Sequence, residues 1–168
     1  MSFSIRSAAR ADVGGVIALS DEFASYLRSL GDPSKFSFDA EAYLRDGFGP
    51  SPAFSGLVAE AQGQILGYLL YHEGYEVDNA IRLLHVIDLY VRSDARRQGI
   101  GRALMQEAAR VCRELGGEQL FWAIYKPNQL AFAFYEALGA SYVEDLSFMR
   151  LGVDALEPQR RTAEASHP

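Results

Sequence analysis

The chain has a single cysteine, Cys112, so no intrachain disulfide can form. No apolar run approaches the roughly 20 residues that cross a bilayer. The first residues, Met1 to Arg6, lack the basic start and apolar stretch of a secretory signal. Together these absences predict a cytoplasmic protein with no membrane partner. Positive charge is also short, with a formal net charge of −6. Binding a phosphate backbone needs a basic face, so no nucleic-acid partner is expected. A cationic substrate is compatible with the balance. No internal repeat and no linker interrupts the chain, and no metal site is read from it.

What remains is an ordinary globular composition, 49% apolar and 23% charged over 168 residues. That length suits one domain with a real core. The expected division is a single domain over 1–155 and a polar tail over 156–168.

Phe3–Ala8 alternates like a strand. Asp12 stands where a helix N-cap would, before apolar residues at helical spacing from Val13 to Leu27. Gly31 to Ser34 ends that region, and Asp39–Phe48 predicts a second short helix. Three strands follow: Phe54–Glu60, Gln64–Tyr75 and Ile81–Val91, the first two joined by a hairpin turn at Gly63. The third lacks clean alternation and is expected to be covered on both faces. A helix begins at Gly99 and stops at Gly116-Gly117. Leu120–Ile124 predicts a strand, and Asn128 caps a helix that runs to Leu138. Ala140–Glu144 and Ser147–Leu151 predict a closing pair of strands. The order implies an α/β (α+β) domain, a mixed sheet of about six to seven strands with helices on both faces.

The segment Arg96-Arg97-Gln98-Gly99-Ile100-Gly101 joins a strand to a helix. The first N–H groups of a helix are unpaired, and its dipole places positive charge there. Gly99 and Gly101 keep side chains away from those N–H groups. Arg96, Arg97 and Arg102 add positive charge. Two readings stay open from the loop by itself: an anion site, or a glycine-rich turn that only starts a helix. A dinucleotide fingerprint does not fit, because Leu104 replaces its third small residue and Ile124-Tyr125 replace its acidic one. A nucleoside-triphosphate loop would need Gly-Lys-Ser/Thr, which is absent.

Arg96, Gly99 and Gly101 match the spacing Arg/Gln-x-x-Gly-x-Gly/Ala. Asp88-Leu89-Tyr90-Val91 precedes it. Asn128-x-x-Ala131-x-x-Phe134-Tyr135-x-x-x-Gly139-Ala140 follows it, and Arg6-x-Ala8-x-x-x-Asp12 opens the chain. In this order the motifs resemble the GNAT (GCN5-related) N-acetyltransferases from Ile5 to about Leu151. Leu84 to Ala140 is similar, more loosely, to the diamine and polyamine branch.

The resemblance implies transfer of an acetyl group from acetyl-CoA to a small amine by direct attack. It implies that Leu89, Tyr90, Val91, Arg96, Arg97, Gln98, Gly99, Ile100, Gly101, Arg102, Asn128, Phe134 and Tyr135 hold the co-substrate. Backbone N–H groups near Leu89 or Tyr90 would meet the thioester oxygen. Tyr135 corresponds to the family's general acid, although a tyrosine on an amphipathic helix can also be a core aromatic. Tyr26, Asp88 and Trp122 are the expected substrate-side residues. The polyamine branch has a glutamate where this chain has Ile87, which accepts no proton. Strand alternation puts His85 on the face of Ile87 and Asp88 on the other. His85 is therefore the candidate base, and an amine that loses its proton to water needs none. Cys112 is expected in the core, and Glu73, Glu76 and Asp78 on a solvated turn. The resemblance also allows a homodimer. A second class of function fits the same loop: a non-catalytic acyl-CoA-binding sensor or interaction module.

Overall fold

Strands β1 (Ser4–Ser7), β2 (Ser55–Ala61), β3 (Gln64–Glu76), β4 (Ile81–Val91) and β5 (Gly117–Phe121) pair in sequence order in a computed structural model that describes residues 2–144 and 146–153. The first four are antiparallel, and β5 joins β4 in parallel, so the sheet is mixed as expected. The parallel pairing follows from helix α3 (Ile100–Glu114), which carries the chain back along the sheet before β5. Helices α1 (Val13–Ser29) and α2 (Ala40–Phe48) cover one face, and α3 covers the other. A short helix α4 (Gln129–Glu136) ends the described regular structure.

The two faces have separate cores. Leu57, Leu69, Val86 and Tyr135 pack with Ile100, Leu104 and Ala108 of α3. Tyr68, Leu70 and Tyr90 pack with Val16 and Leu19 of α1 and Tyr43 of α2. This is the alternation of a strand buried on both sides, but it holds only for the end of β4 at Tyr90 and Val91. Nearer its start, Arg82 is exposed, and so is Ile87. The expectation that all of β4 is covered on both faces therefore fails: on the α1 side the core takes only Tyr90 from β4, at the strand's end.

Five strands are found among the described residues, not six or seven. Residues 140–144 and 146–152 carry no strand; Ala140 still packs against the core, but the large apolar side chains after it are exposed, Met149 to 97%. Alternation in a sequence is local, whereas a strand needs a free edge to pair with. Among the described residues the edges on this side are β5, which is five residues long, and the end of β4 beyond its last rung with β5, and neither is paired by this segment. The expected tail at 156–168 lies outside the described residues.

Asp12 sits at the N-cap position of α1, but its side chain does not cap the helix. Its carboxylate accepts from Ala9 N at 2.7 Å and from both Nη atoms of Arg6, at 2.7 and 2.8 Å. Arg6 also holds Glu60 of β2 at 2.6 Å. The group therefore ties the turn before α1 to β1 and β2. Hydrogen bonding from Arg6 holds the Asp12 carboxyl below its ordinary pKa. Its contribution is present above the unfolded value of about 3.9 and is lost as pH falls through the lower folded value. Asp12→Asn is expected to cost about 1 kcal/mol at neutral pH. Urea denaturation of both proteins should show the difference shrinking below about pH 4.

Candidate active site

The parallel ladder between β4 and β5 has its last rung at His85 and Phe121. β4 continues to Val91, but the chain beyond Phe121 leaves the sheet. Among the described residues, the β5-facing edge of β4 is thus unpaired from Val86 to Val91, and a wedge opens between the strands. Free backbone groups at such a place must find water, a ligand or a side chain. Sequence alternation gives no sign of where parallel partners separate.

The wedge leads to a cleft of about 370 Å³ between the end of β4, the start of α3 and one side of α4. The loop before α3 reverses sharply. Arg97 has φ of +60° and Gly99 has φ of +86°, both left-handed, which bends the chain so that α3 begins at Ile100. Gly99 is required for that backbone. Gly101 has a different reason. A Cβ there would lie 3.1 Å from the ring of Phe134, so its absence lets α4 pack on the first turn of α3. The expectation that both glycines simply clear space for an anion holds less well for Gly101.

Leu89, Tyr90, Val91, Arg96, Arg97, Gly99, Ile100, Gly101 and Arg102 line the cleft from one side. Asn128, Phe134 and Tyr135 line it from the other, with Leu130 and Leu138. Gln98 does not; its amide reaches back to the Asp94 carbonyl at 3.5 Å. The arginines differ in role. Arg96 donates to the Val91 carbonyl at 3.1 Å and lies between the rings of Tyr26 and Tyr90. Arg102 donates to the Ala137 carbonyl at 3.1 Å, bracing α3 against α4. Arg97 makes no side-chain hydrogen bond with the described residues. The lining is therefore cationic around the helix N-terminus and apolar along α4. That suits a ligand with phosphates at one end and an apolar arm at the other.

Asn128 caps α4 as expected, accepting from Ala131 N at 3.2 Å. The same oxygen accepts from the Tyr26 hydroxyl at 2.9 Å, so α1 is fastened to the cleft's far wall. Tyr26 is thus at the rim, not in the lining. Asn128→Ala is expected to cost about 1 to 2 kcal/mol in a urea titration, since it removes a cap and orphans Tyr26.

Tyr135 is almost fully buried, with its ring 4.7 Å from that of Trp122. Burial, then the charge of Asp88, pushes its phenol well above the usual pKa, so it stays protonated at neutral pH. Asp88 accepts from the Tyr68 hydroxyl at 2.5 Å. Burial raises its carboxyl to about 6, with the bond from Tyr68 opposing the rise.

Pairing between β3 and β4 shifts at one point: Leu70 faces Asp88, and Tyr71 faces Val86. Ile87 is the extra residue of a bulge. Simple alternation puts His85 with Ile87 and Asp88 on the opposite face. The bulge reverses this, and His85 and Asp88 share the α1 face with Tyr68, Leu70 and His72. His85 pairs across the strands with His72, Nδ1 to Nε2 at 3.0 Å, and its ring lies 5.9 Å from that of Phe121. Burial, then His72, lowers the pKa of His85, which favours the neutral ring. Sequence reasoning missed Tyr68 and His72. Both are identified only by the β3–β4 register.

A family model described as Acetyltransferase (GNAT) family matches residues 18–140. The chain belongs to the GNAT family of acetyltransferases. Thialysine N-epsilon-acetyltransferase of Bos taurus is 37% identical over 144 residues, covering 81% of this chain and 82% of the relative. An integron cassette protein from V. cholerae has the same fold, with a TM-score of 0.75, 24% identity and coverage of 93% and 96% of the two chains. An aminoglycoside N-acetyltransferase solved in complex with CoA superposes with a TM-score of 0.72 at 16% identity, over 89% and 95%. Membership in the GNAT family supports the enzyme reading, and the sensor reading is set aside. No helix among the described residues is long and apolar enough to cross a membrane.

Proposed function

We propose that this GNAT protein transfers an acetyl group from acetyl-CoA to a primary amine of a small molecule by direct attack. The observation that carries the reading is the wedge, whose mouth meets the N-terminus of α3 at one end and Tyr135 at the other. Arg97, Arg102 and the first N–H groups of α3 would hold the phosphates, and Leu130, Phe134 and Leu138 the apolar arm. When bound, acetyl-CoA supplies the activated thioester; the protein supplies position and proton management.

The unpaired edge of β4 near Leu89 and Tyr90 would donate backbone hydrogen bonds to the carbonyl oxygen as it gains charge. Tyr135 would hydrogen-bond the departing sulfur and yield its proton late, once charge has built there. His85, neutral and at the apex of the wedge, would receive the proton of the attacking amine. Asp88, Tyr26 and Trp122 would shape the amine's side. An Asp88 carboxyl that is largely ionised above about pH 6 suits an ammonium group, and the bovine relative is named for the ε-nitrogen of thialysine.

The test is an amine panel including thialysine, lysine, ornithine, diamines and polyamines, read by free-thiol release. Amine-dependent thiol release on a small primary amine is expected. Tight CoA binding with no release on any amine would overturn the reading.

A further inference from the structure

The hydrogen bonds of two histidines on the α1 face fix each other's protons. His72 Nδ1 lies 2.9 Å from the backbone carbonyl of Glu73. A carbonyl only accepts, so Nδ1 of His72 must carry a hydrogen. A neutral His72 therefore has a bare Nε2. That bare nitrogen is the atom 3.0 Å from His85 Nδ1. Two lone pairs cannot face each other there, so Nδ1 of His85 must be the donor. Nε2 of His85 is then left with its lone pair free, and it makes no hydrogen bond with the described residues.

His72 and His85 are opposed only because of the bulge at Ile87. Without that extra residue, His85 would point to the α3 face and away from His72. The pair stands on the last rung before the strands part. His72 is exposed, while His85 is partly covered and flanked by Phe121 of β5.

We infer that His72 is a positioning residue for the acetyl transfer: it holds His85 in the Nδ1–H tautomer, so that Nε2 is the bare, fixed proton acceptor beside the wedge. The inference rests on the reading of His85 as base. The step balances simply. The attacking ammonium gives one proton to His85 Nε2, and the freed lone pair forms the bond to the acyl carbon as the C–S bond breaks. The departing sulfur takes the Tyr135 proton, and the second proton lost from nitrogen as it becomes an amide returns through water to Tyr135. The resulting imidazolium donates from Nδ1 to His72 Nε2 in a charge-assisted bond, which is stronger than the neutral one. Between turnovers the proton leaves Nε2 to water, and the original tautomers return. A backbone carbonyl thus sets a side chain's chemistry two hydrogen bonds away.

The experiment combines tautomer-resolved NMR of 15N-histidine-labelled protein at about pH 8 with kinetics of His72→Ala, His72→Gln and His85→Gln. In the parent protein His85 is expected to be protonated at Nδ1 and bare at Nε2. His72→Ala should leave a mixture of tautomers and lower kcat about tenfold, with KM for both substrates little changed. His72→Gln offers an amide oxygen near the place of Nε2 and should recover much of the loss. A His85 protonated at Nε2, or a His72→Ala protein with unchanged kcat, would overturn the inference. His85→Gln separates the two readings. If its kcat is unchanged, His85 is not the base, whatever tautomer it holds. If its kcat falls while His72→Ala keeps full rate, the base reading stands and the positioning role does not. His72 is exposed, so its variants should fold, and equal melting temperatures would verify that.

Discussion

Tyr135→Phe is expected to lower kcat about 100-fold, with KM for acetyl-CoA little changed. The substitution removes one oxygen and keeps the ring. Packing against Trp122 and Phe134, at 4.7 and 4.9 Å between centroids, should survive, so the melting temperature should move little. The loss would arise at sulfur. The Tyr135 hydroxyl makes no hydrogen bond with the described residues, which leaves it free to donate to a ligand. Its raised pKa fixes the sign of the pH dependence. A phenol that remains protonated to high pH contributes no alkaline limb near neutrality, so the parent and the variant should share the same profile below about pH 9. Steady-state kinetics with thiol detection across that range is the measurement. Equal kcat for the two proteins would remove Tyr135 from the proton path and return it to the role of a core aromatic.

Leu69→Ala should be the most damaging single change for stability. Leu69 is wholly buried in β3, and its cross-strand partners are Leu57 on β2 and Leu89 on β4. All three face α3 in one cluster, so the row holds the middle of the sheet to the helix. Truncation removes the transfer energy of the lost carbons and leaves a cavity that neighbours on three strands cannot close. The expected cost is about 3 kcal/mol, which corresponds to a fall of about 10 °C in Tm for a domain of this size. Thermal unfolding by circular dichroism would measure it. Leu89 borders the cleft, so KM for acetyl-CoA is also expected to rise modestly at temperatures where the variant is still folded. A change under about 1 kcal/mol would mean that the row repacks, contrary to the close packing of such cores.

The two variants separate the layers of the molecule, because one deletes a single atom at the cleft and the other empties part of the core. Their local causes were legible to different degrees. The loop at Arg96 to Gly101 is a matter of spacing, and the φ of Gly99 and the start of α3 follow from residues a few positions apart. Asn128 is likewise local, since its cap on Ala131 lies within one helical turn. The apolar stripe of α3 and the hairpin joining β2 to β3 were readable for the same reason.

By itself, the sequence determined the local elements: four helices close to their expected places, the strands up to β4, and a helix N-terminus suited to phosphates. Tertiary structure decided the rest. Where β4 and β5 part is a property of two segments joined through the whole of α3, and neither carries a mark of it. The bulge at Ile87 inserts one residue, which reverses the face of everything before it and brings His85 to His72 instead of beside Ile87. Asp12 is drawn from its helix to Arg6, because a buried carboxylate gains more from a guanidinium than from a cap. The segments expected to close the sheet had the right alternation, but their described residues pair with neither β5 nor the end of β4. Periodicity encodes which side chains could be buried, whereas pairing and register depend on long-range contacts whose free energy no short window contains.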